Sequence, residues 1–253
     1  MKKVLCFYWY VPVDYWNPVY CLHLLNISYY RDVFDEIFFA ISTDGDDKLA
    51  EKTIESLRFF VPNARFAMVK NDKISRESKF FYEEIVNNLD RFSDNELVFF
   101  AHNKGADTNY VKKPDRNDWI NSLYFLNLKD KNKIDEIFSD ENVCAAGSGR
   151  MVNYAPHEFA NFLKYRWMFA GTFFWIVPKR LKKYIENNKI EVIENTGRYY
   201  TEGFLGTIFP DDAKECVNIY PNKEVKDNWG QYLLKVLTAD EISEYKKLYC
   251  PEK

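Results

Sequence analysis

The sequence predicts an α/β protein in which a mainly parallel central sheet is flanked by helices. Three observations lead there. Short apolar runs rich in aromatic and β-branched residues alternate with helical stripes through the first hundred residues. The 253 residues, 47% of them hydrophobic, are enough to bury a large core. No internal repeat, low-complexity segment or linker rich in Pro, Gly or Ser divides the chain, so residues 1–253 read as a single domain.

Lys3 to Tyr10 is an aromatic, β-branched run closed by Pro12, the profile of a buried first strand. A helix is expected over Val19 to Tyr30. Glu36 to Ser42 is a second continuous apolar strand, and Thr43-Asp44-Gly45-Asp46-Asp47 after it combines a turn signal with an N-cap. Leu49, Thr53, Leu57 and Phe60 then recur at helical spacing. Arg65 to Val69 is a third strand, Phe81, Ile85, Leu89 and Phe92 mark another amphipathic helix, and Glu96 to Ala101 is the fourth strand. Such alternation sets parallel strands side by side with crossovers on the faces. The second half is less regular. A helical zone covers Trp119 to Phe138, Val143 to Ala146 is a short strand, and Trp167 to Val177 reads as one apolar strand ended by Pro178. Helices follow at Lys179 to Asn187 and from near Tyr200, and Trp229 to Tyr249 reads as a packed terminal helix.

The formal net charge of −3 balances 35 basic against 38 acidic residues, so no nucleic-acid partner is indicated and an anion site would be a local basic cluster. The five cysteines are scattered without a CxxC pair or metal-like spacing, as expected for buried or free thiols in a reducing cytoplasm. Met1 to Phe7 imitates a signal peptide, but Tyr8, Tyr10 and Asp14 interrupt its apolar run. No stretch approaches the ~18 apolar residues of a membrane span.

In parallel sheets, ligands sit beyond the carboxyl ends of the strands. His102-Asn103-Lys104-Gly105-Ala106-Asp107, directly after the fourth strand, is therefore the leading candidate site, with a plain strand-to-helix loop as the alternative. Arg166 to Trp175 reads equally as aromatic core and as something more. Gly171 within it marks a close approach to the backbone, and Phe174 and Trp175 offer an apolar platform. In Arg198 to Gly206, Thr201 caps a helix with Glu202 in its first turn, or Glu202 is a general base. Asp44-Gly45-Asp46 has the spacing of a metal-binding DxD, yet it follows only the second strand, where a turn and a cap explain it. Gly147-Ser148-Gly149-Arg150 would admit a phosphate or sugar close to the backbone. His23 and His157 lack partner spacing and read as structural. No nucleophile elbow, P-loop or dinucleotide fingerprint occurs.

In their order and spacing, His102-Asn103-Lys104-Gly105, Trp119 with Leu123 and Tyr124, Gly171-Thr172-Phe173-Phe174-Trp175, and Arg198 with Glu202 resemble a family of bacterial glycosyltransferase-like proteins. These are related to rhamnan-synthesis proteins of surface-polysaccharide gene clusters. Their typical segments are a strand ending in His-Thr-Lys-Gly, a Trp-containing helix, a Gly-Asn-Phe-Trp-Trp strand, and a helix start with Arg and Glu. The match spans residues 96–206, and Asn103, Thr172 and Phe174 depart from the commoner residues. The resemblance implies a Rossmann-like GT-A fold, with residues 1–110 as the nucleotide-sugar-binding half and 111–253 as the acceptor-binding half. It implies sugar transfer from a nucleotide-sugar donor to a glycan or lipid-linked glycan acceptor in surface-polysaccharide synthesis. A lipid-linked acceptor would bring a cytoplasmic protein to the inner membrane face. The expected roles are catalytic for Glu202, His102 and Asp107. Donor contacts are expected from Lys104, Asn103, Tyr8, Arg150, Gly171 and Thr172, and acceptor contacts from Phe174, Trp175 and Arg198.

Many GT-A enzymes meet the charge of the departing diphosphate with a divalent metal held by an Asp-x-Asp after the fourth strand. Here Lys104 stands at that place and supplies a cation itself. A unit charge pair about 4 Å apart is worth ~4 kcal/mol at intermediate dielectric, before desolvation. Metal-independent transfer is the expectation and no metal ligand is assigned. Manganese or magnesium is the alternative, with His102 and Asp107 as the ligands to consider. Two rivals stand beside this reading. One is a non-catalytic sugar- or nucleotide-binding protein on the same scaffold. The other is a nucleotidyltransferase, against which the glycine-free Trp9-Tyr10-Val11-Pro12-Val13 after the first strand argues.

Overall fold

A computed structural model describes residues 1–11, 18–73, 76–103, 115–152, 167–192, 200–210, 212–220 and 238–249. The first half runs β1 (Lys2–Val11), α1 (Pro18–Tyr30), β2 (Glu36–Thr43), α2 (Asp47–Phe60), β3 (Arg65–Lys70), α3 (Glu77–Phe80) and β4 (Glu96–His102). The second runs α4 (Asp115–Leu128), α5 (Lys131–Ser139), β5 (Ala145–Gly147), β6 (Arg150–Val152), β7 (Trp167–Phe169), β8 (Phe174–Ile176), α6 (Pro178–Asn187), α7 (Tyr200–Ile208), β9 (Cys216–Asn218) and α8 (Ala239–Tyr249).

Seven strands form one sheet in the order β3-β2-β1-β4-β8-β5-β9, and β6 pairs with β7 in a separate ribbon. The strands β1 to β4 are mutually parallel. β8 runs against both its neighbours, β4 and β5, and β9 lies parallel to β5. The expected α/β fold with a mainly parallel sheet is thus observed, with β8 as the reversed strand. After β3 the chain crosses back to pair β4 with the other side of β1, which puts the topological switch point between β1 and β4.

β1 is apolar along its whole length because both of its faces are covered. Leu5, Phe7 and Trp9 pack into one cluster with residues of α1, α2 and α4. Val4, Cys6 and Tyr8 join the other, with Phe80, Phe81, Leu181 and Phe204. Fully burying an aromatic or aliphatic side chain of this kind is worth about 1.5–3 kcal/mol, so the β1–β4 core fixes the strand ends firmly. Burial raises the thiols of Cys6 and Cys144, each to about 12.

Three predicted elements differ. The helical zone over Trp119 to Phe138 is two helices, because Asp130 caps α5 by accepting a hydrogen bond from Lys133 N at 2.9 Å. The stripe Phe81, Ile85, Leu89 and Phe92 is not a regular helix. α3 passes into a π-turn over Phe81–Ile85 and then a 3-10 segment over Val86–Arg91. Those apolar residues mostly recur four apart, slower than an α-helix turns, and the wide turn keeps Phe81, Ile85 and Leu89 buried together. The run Trp167 to Val177 is broken as well. β7 belongs to the ribbon and β8 to the main sheet, with a kink at Ala170–Thr172 between them. Among the described residues, no helix is long and apolar enough to cross a membrane.

Candidate functional site

The strand ends at the switch point are locked by one side chain. Asn103 Oδ1 accepts a hydrogen bond from Tyr10 N at 2.9 Å, and its Nδ2 donates to Tyr10 O at 2.6 Å. Its backbone N donates to Tyr8 O at 3.3 Å. The amide imitates a peptide group and extends the β1–β4 ladder past the end of β4. Both ends of the amide are engaged with backbone, so Asn103, expected as a donor contact, clamps the scaffold.

Beside this clamp lies a closely packed cluster of buried polar side chains, the chamber. His102 ends β4, and its Nδ1 sits 3.8 Å from Glu77 Oε1 at the start of α3. The next residue, Ser78, is fully buried and accepts hydrogen bonds from Thr201 Oγ1 at 3.0 Å and Thr201 N at 3.3 Å. Glu77 and Glu202 are the chain neighbours of that bonded pair, and both are buried, at 6% and 5% exposure. A buried carboxylate is tolerated where it has partners, and Glu77 and Glu202 both keep partners within the fold.

A glycine decides how α7 reaches this place. A Cβ on Gly206 would lie 1.8 Å from the Trp167 carbonyl oxygen, so only glycine lets α7 lie directly on β7. Trp167 in turn donates its indole N–H to Phe209 O at 2.9 Å, tying β7 to the segment after α7. Arg150 lies over the Trp167 ring at 4.1 Å and donates to Pro210 O at 3.5 Å. Arg150, expected at the donor, is thereby stacked on the ribbon that carries α7.

The kink before β8 forms another wall. Gly171 has φ +71° and Thr172 φ +64°, two successive residues in the left-handed region. A Cβ on Gly171 would come within 2.7 Å of Leu123 in α4, so the close approach read from the sequence is an approach of helix to turn. The kink also packs against α7 and the end of β4. Thr172 is fully buried, and its hydroxyl has no hydrogen-bond partner among the described residues.

The far side of the switch point is open and charged. Tyr8 OH donates to Asn71 Oδ1 at 3.1 Å, Asn71 Nδ2 donates to Asp44 Oδ1 at 2.6 Å, and Tyr10 OH donates to Asp44 Oδ2 at 2.8 Å. Burial pushes the Asp44 carboxyl up. The bonds from Asn71 and Tyr10, with the positive charges of Lys73 and Arg76, more than offset this and leave it below its ordinary value. Burial raises the Tyr8 phenol far above its usual range, with the Glu77 carboxylate adding to the effect and Arg76 opposing it. A cleft of about 440 Å³ opens here, lined by Thr43, Asp44, Lys70, Asn71 and Lys73 among others. A second cleft, of about 540 Å³, sits at the amino ends of β2 and β3. It is away from the switch point, and Glu36 on its wall is paired with Lys2 and Arg65.

The sequence-predicted residues fare unequally. His102 ends β4 beside Glu77, Glu202 follows the Thr201 that bonds Ser78, and Thr172 lies in the kink that packs against β4 and α7, while Tyr8 reaches the open edge through Asn71. Lys104, Asp107 and Arg198 lie outside the described residues. Phe174 and Trp175, expected as an acceptor platform, are instead core. They are 1% and 0% exposed on opposite faces of the sheet, and Trp175 donates to Asn127 O at 3.1 Å. Thr201 bonds to Ser78 rather than capping α7. Asp46 does cap α2, accepting from Leu49 N at 2.9 Å. His23 is structural as expected, buried with Nδ1 2.7 Å from Tyr124 OH. Glu77, Ser78 and Asn71 escaped sequence reading, since a polar pair before an apolar stripe looks like a helix start. Among the described residues no three His, Cys, Asp or Glu side chains are grouped to hold a metal ion.

No family model matches the chain, and no curated protein matches it. Among solved structures, it is similar to a 4-diphosphocytidyl-2C-methyl-D-erythritol synthase at 10% identity and a TM-score of 0.37, covering 93% of this chain and 98% of that one. It is also similar to a mannosyltransferase from Pyrobaculum calidifontis determined with GDP-Man and Mn2+, at 13% identity and a TM-score of 0.37. That likeness covers 99% of this chain, which spans 64% of the mannosyltransferase. At such values neither likeness assigns an activity or a site residue to this chain.

Proposed function

We propose that the chain is a GT-A-like glycosyltransferase that moves a sugar from a nucleotide-sugar donor to a glycan or lipid-linked glycan acceptor in surface-polysaccharide synthesis. One observation carries the reading. Buried polar side chains at the switch point of a mainly parallel sheet, His102 beside Glu77 and Glu202 next to the Thr201–Ser78 bond, lie near an open edge that holds Asp44 among Lys73 and Arg76. The two halves suit the two halves of such a donor. At the open edge, the Asp44 carboxylate accepts hydrogen bonds from ribose hydroxyls, while Lys73 and Arg76 attract the diphosphate. In the chamber, Glu202 takes the proton from the acceptor hydroxyl as its oxygen attacks the anomeric carbon. His102, beside Glu77, hydrogen-bonds the reacting sugar. Electrostatic stabilisation of the leaving diphosphate falls to cations of the chain, Lys104 among them by its place after β4, and the reaction proceeds without a metal.

The test is transfer and donor hydrolysis assayed over a panel of UDP-, GDP-, CMP- and dTDP-linked sugars, with and without excess chelator. Turnover of one donor that survives chelation is the expected result. Strict manganese dependence would overturn the metal-free mechanism and leave the transferase standing. Tight binding of a donor with no turnover under any condition would favour a non-catalytic nucleotide-sugar-binding protein, the alternative on the same scaffold.

A further inference from the structure

We propose that the open edge selects ribonucleotides over 2′-deoxyribonucleotides, with Asp44 and Asn71 together holding the vicinal hydroxyls of the donor's ribose. The inference rests on the transferase reading above and names the nucleotide class that this edge admits. It starts from a cavity, the cleft of about 440 Å³ at the carboxyl ends of β2 and β3, lined by Thr43, Asp44, Lys70, Asn71 and Lys73 among others. Asp44 is exposed there, and its two oxygens each accept one hydrogen bond, Oδ1 from Asn71 Nδ2 at 2.6 Å and Oδ2 from Tyr10 OH at 2.8 Å. Asn71 is fixed in turn, since its Oδ1 accepts from Tyr8 OH at 3.1 Å. Tyr8 and Tyr10 belong to β1, so carboxylate and amide are both anchored to the sheet before any ligand arrives.

The anchored pair is complementary to neighbouring hydroxyls. A carboxylate oxygen accepts more than one hydrogen bond, and an amide nitrogen donates two. After the bonds described, Asp44 keeps acceptor capacity on both oxygens and Asn71 keeps one donor hydrogen. A hydroxyl donates and accepts, so one hydroxyl of a vicinal pair meets Asp44 while its neighbour bridges Asp44 and Asn71. An ionised phosphate has no hydrogen to offer a carboxylate, and it is left to Lys73 and Arg76, whose charges already act on Asp44. A deoxyribose puts a carbon where one hydroxyl belongs. It displaces water from the anchored groups without replacing the lost hydrogen bond, and a site built to bond a hydroxyl rejects the analogue that lacks it.

The experiment is calorimetric titration of wild type and Asp44→Asn. The probes are UDP, GDP and CDP, their 2′-deoxy forms, and UDP-glucose, GDP-mannose and dTDP-glucose. Wild type should bind its preferred ribonucleoside diphosphate about tenfold more tightly than the 2′-deoxy form, the worth of one hydrogen bond to a charged group. In Asp44→Asn the two affinities should come within about twofold of each other, through loss of the ribonucleotide alone. Retained affinity for the deoxy form would show that the cleft still folds. Equal affinity for the two forms in wild type, or tighter binding of dTDP-glucose than of the other nucleotide sugars, would overturn ribose selection and leave the transferase reading intact. An equal loss of both forms in Asp44→Asn would make Asp44 a support of the cleft and overturn it too. Weakened binding of the nucleotide sugar alone would assign the hydroxyls to the transferred sugar, with the same result. If wild type binds none of these nucleotides, both readings fall.

Discussion

The chamber at the end of β4 and the edge at the ends of β2 and β3 are made from the same strands, yet they are opposite in character. The chamber is buried, carries Glu77 and Glu202, and is assembled from α3 and α7, elements far apart in the chain. The edge is exposed and rich in cations, and its Asp44, Asn71 and Tyr10 belong to the first seventy-one residues. Burial accounts for the contrast. Polar groups removed from water must be satisfied by one another or by a ligand, so each member of the chamber is strongly specified. Groups at the edge stay hydrated and are held by a short relay of hydrogen bonds. Removing a chamber residue should therefore disturb chemistry or folding, whereas removing an edge residue should alter binding alone.

The largest expected effect is that of Glu202→Gln. If Glu202 is the base, turnover should fall by about 10²–10⁴-fold while donor affinity changes little. An unchanged turnover number would shift the role to Glu77 or Asp107. Next comes Gly206→Ala. With Trp167 O only 1.8 Å from the added Cβ, α7 must move off β7. Overpacking of this kind costs about 1–3 kcal/mol or more, and each kcal/mol lowers the melting temperature by about 2–4 °C in a chain of this size. Thermal unfolding measures this directly, and a melting temperature equal to wild type would mean that α7 is not seated by that contact. The smallest effect is expected of Asp44→Asn. It should weaken nucleoside diphosphate binding by about tenfold, the loss of one or two hydrogen bonds to ribose, with the turnover number at saturation unchanged. A fall in turnover without a fall in binding would erase the distinction between edge and chamber.

Legibility followed the same divide. Continuous apolar strands separated by amphipathic helices announced β1 to β4, because a strand buried on both faces has little freedom in composition. His102 could be singled out because it directly follows such a strand. Glu77 could not, since nothing local distinguishes it from a helix-starting acid. Phe174 and Trp175 misled for the complementary reason. An aromatic pair reads alike whether it stacks on a ligand or fills a core, and only the pairing of β8 between β4 and β5 places both side chains inside.

By itself, then, the amino-acid order determined the α/β class, the parallel first four strands and the cap at Asp46. These follow from periodicity and from short-range bonding along the chain. Only the tertiary structure decided that Glu77 stands beside His102, that Ser78 receives Thr201 across 123 positions of sequence, and that Thr172 sits at positive φ with a hydroxyl that has no partner among the described residues. Contacts between residues so distant depend on how the layers pack, and no local pattern encodes them.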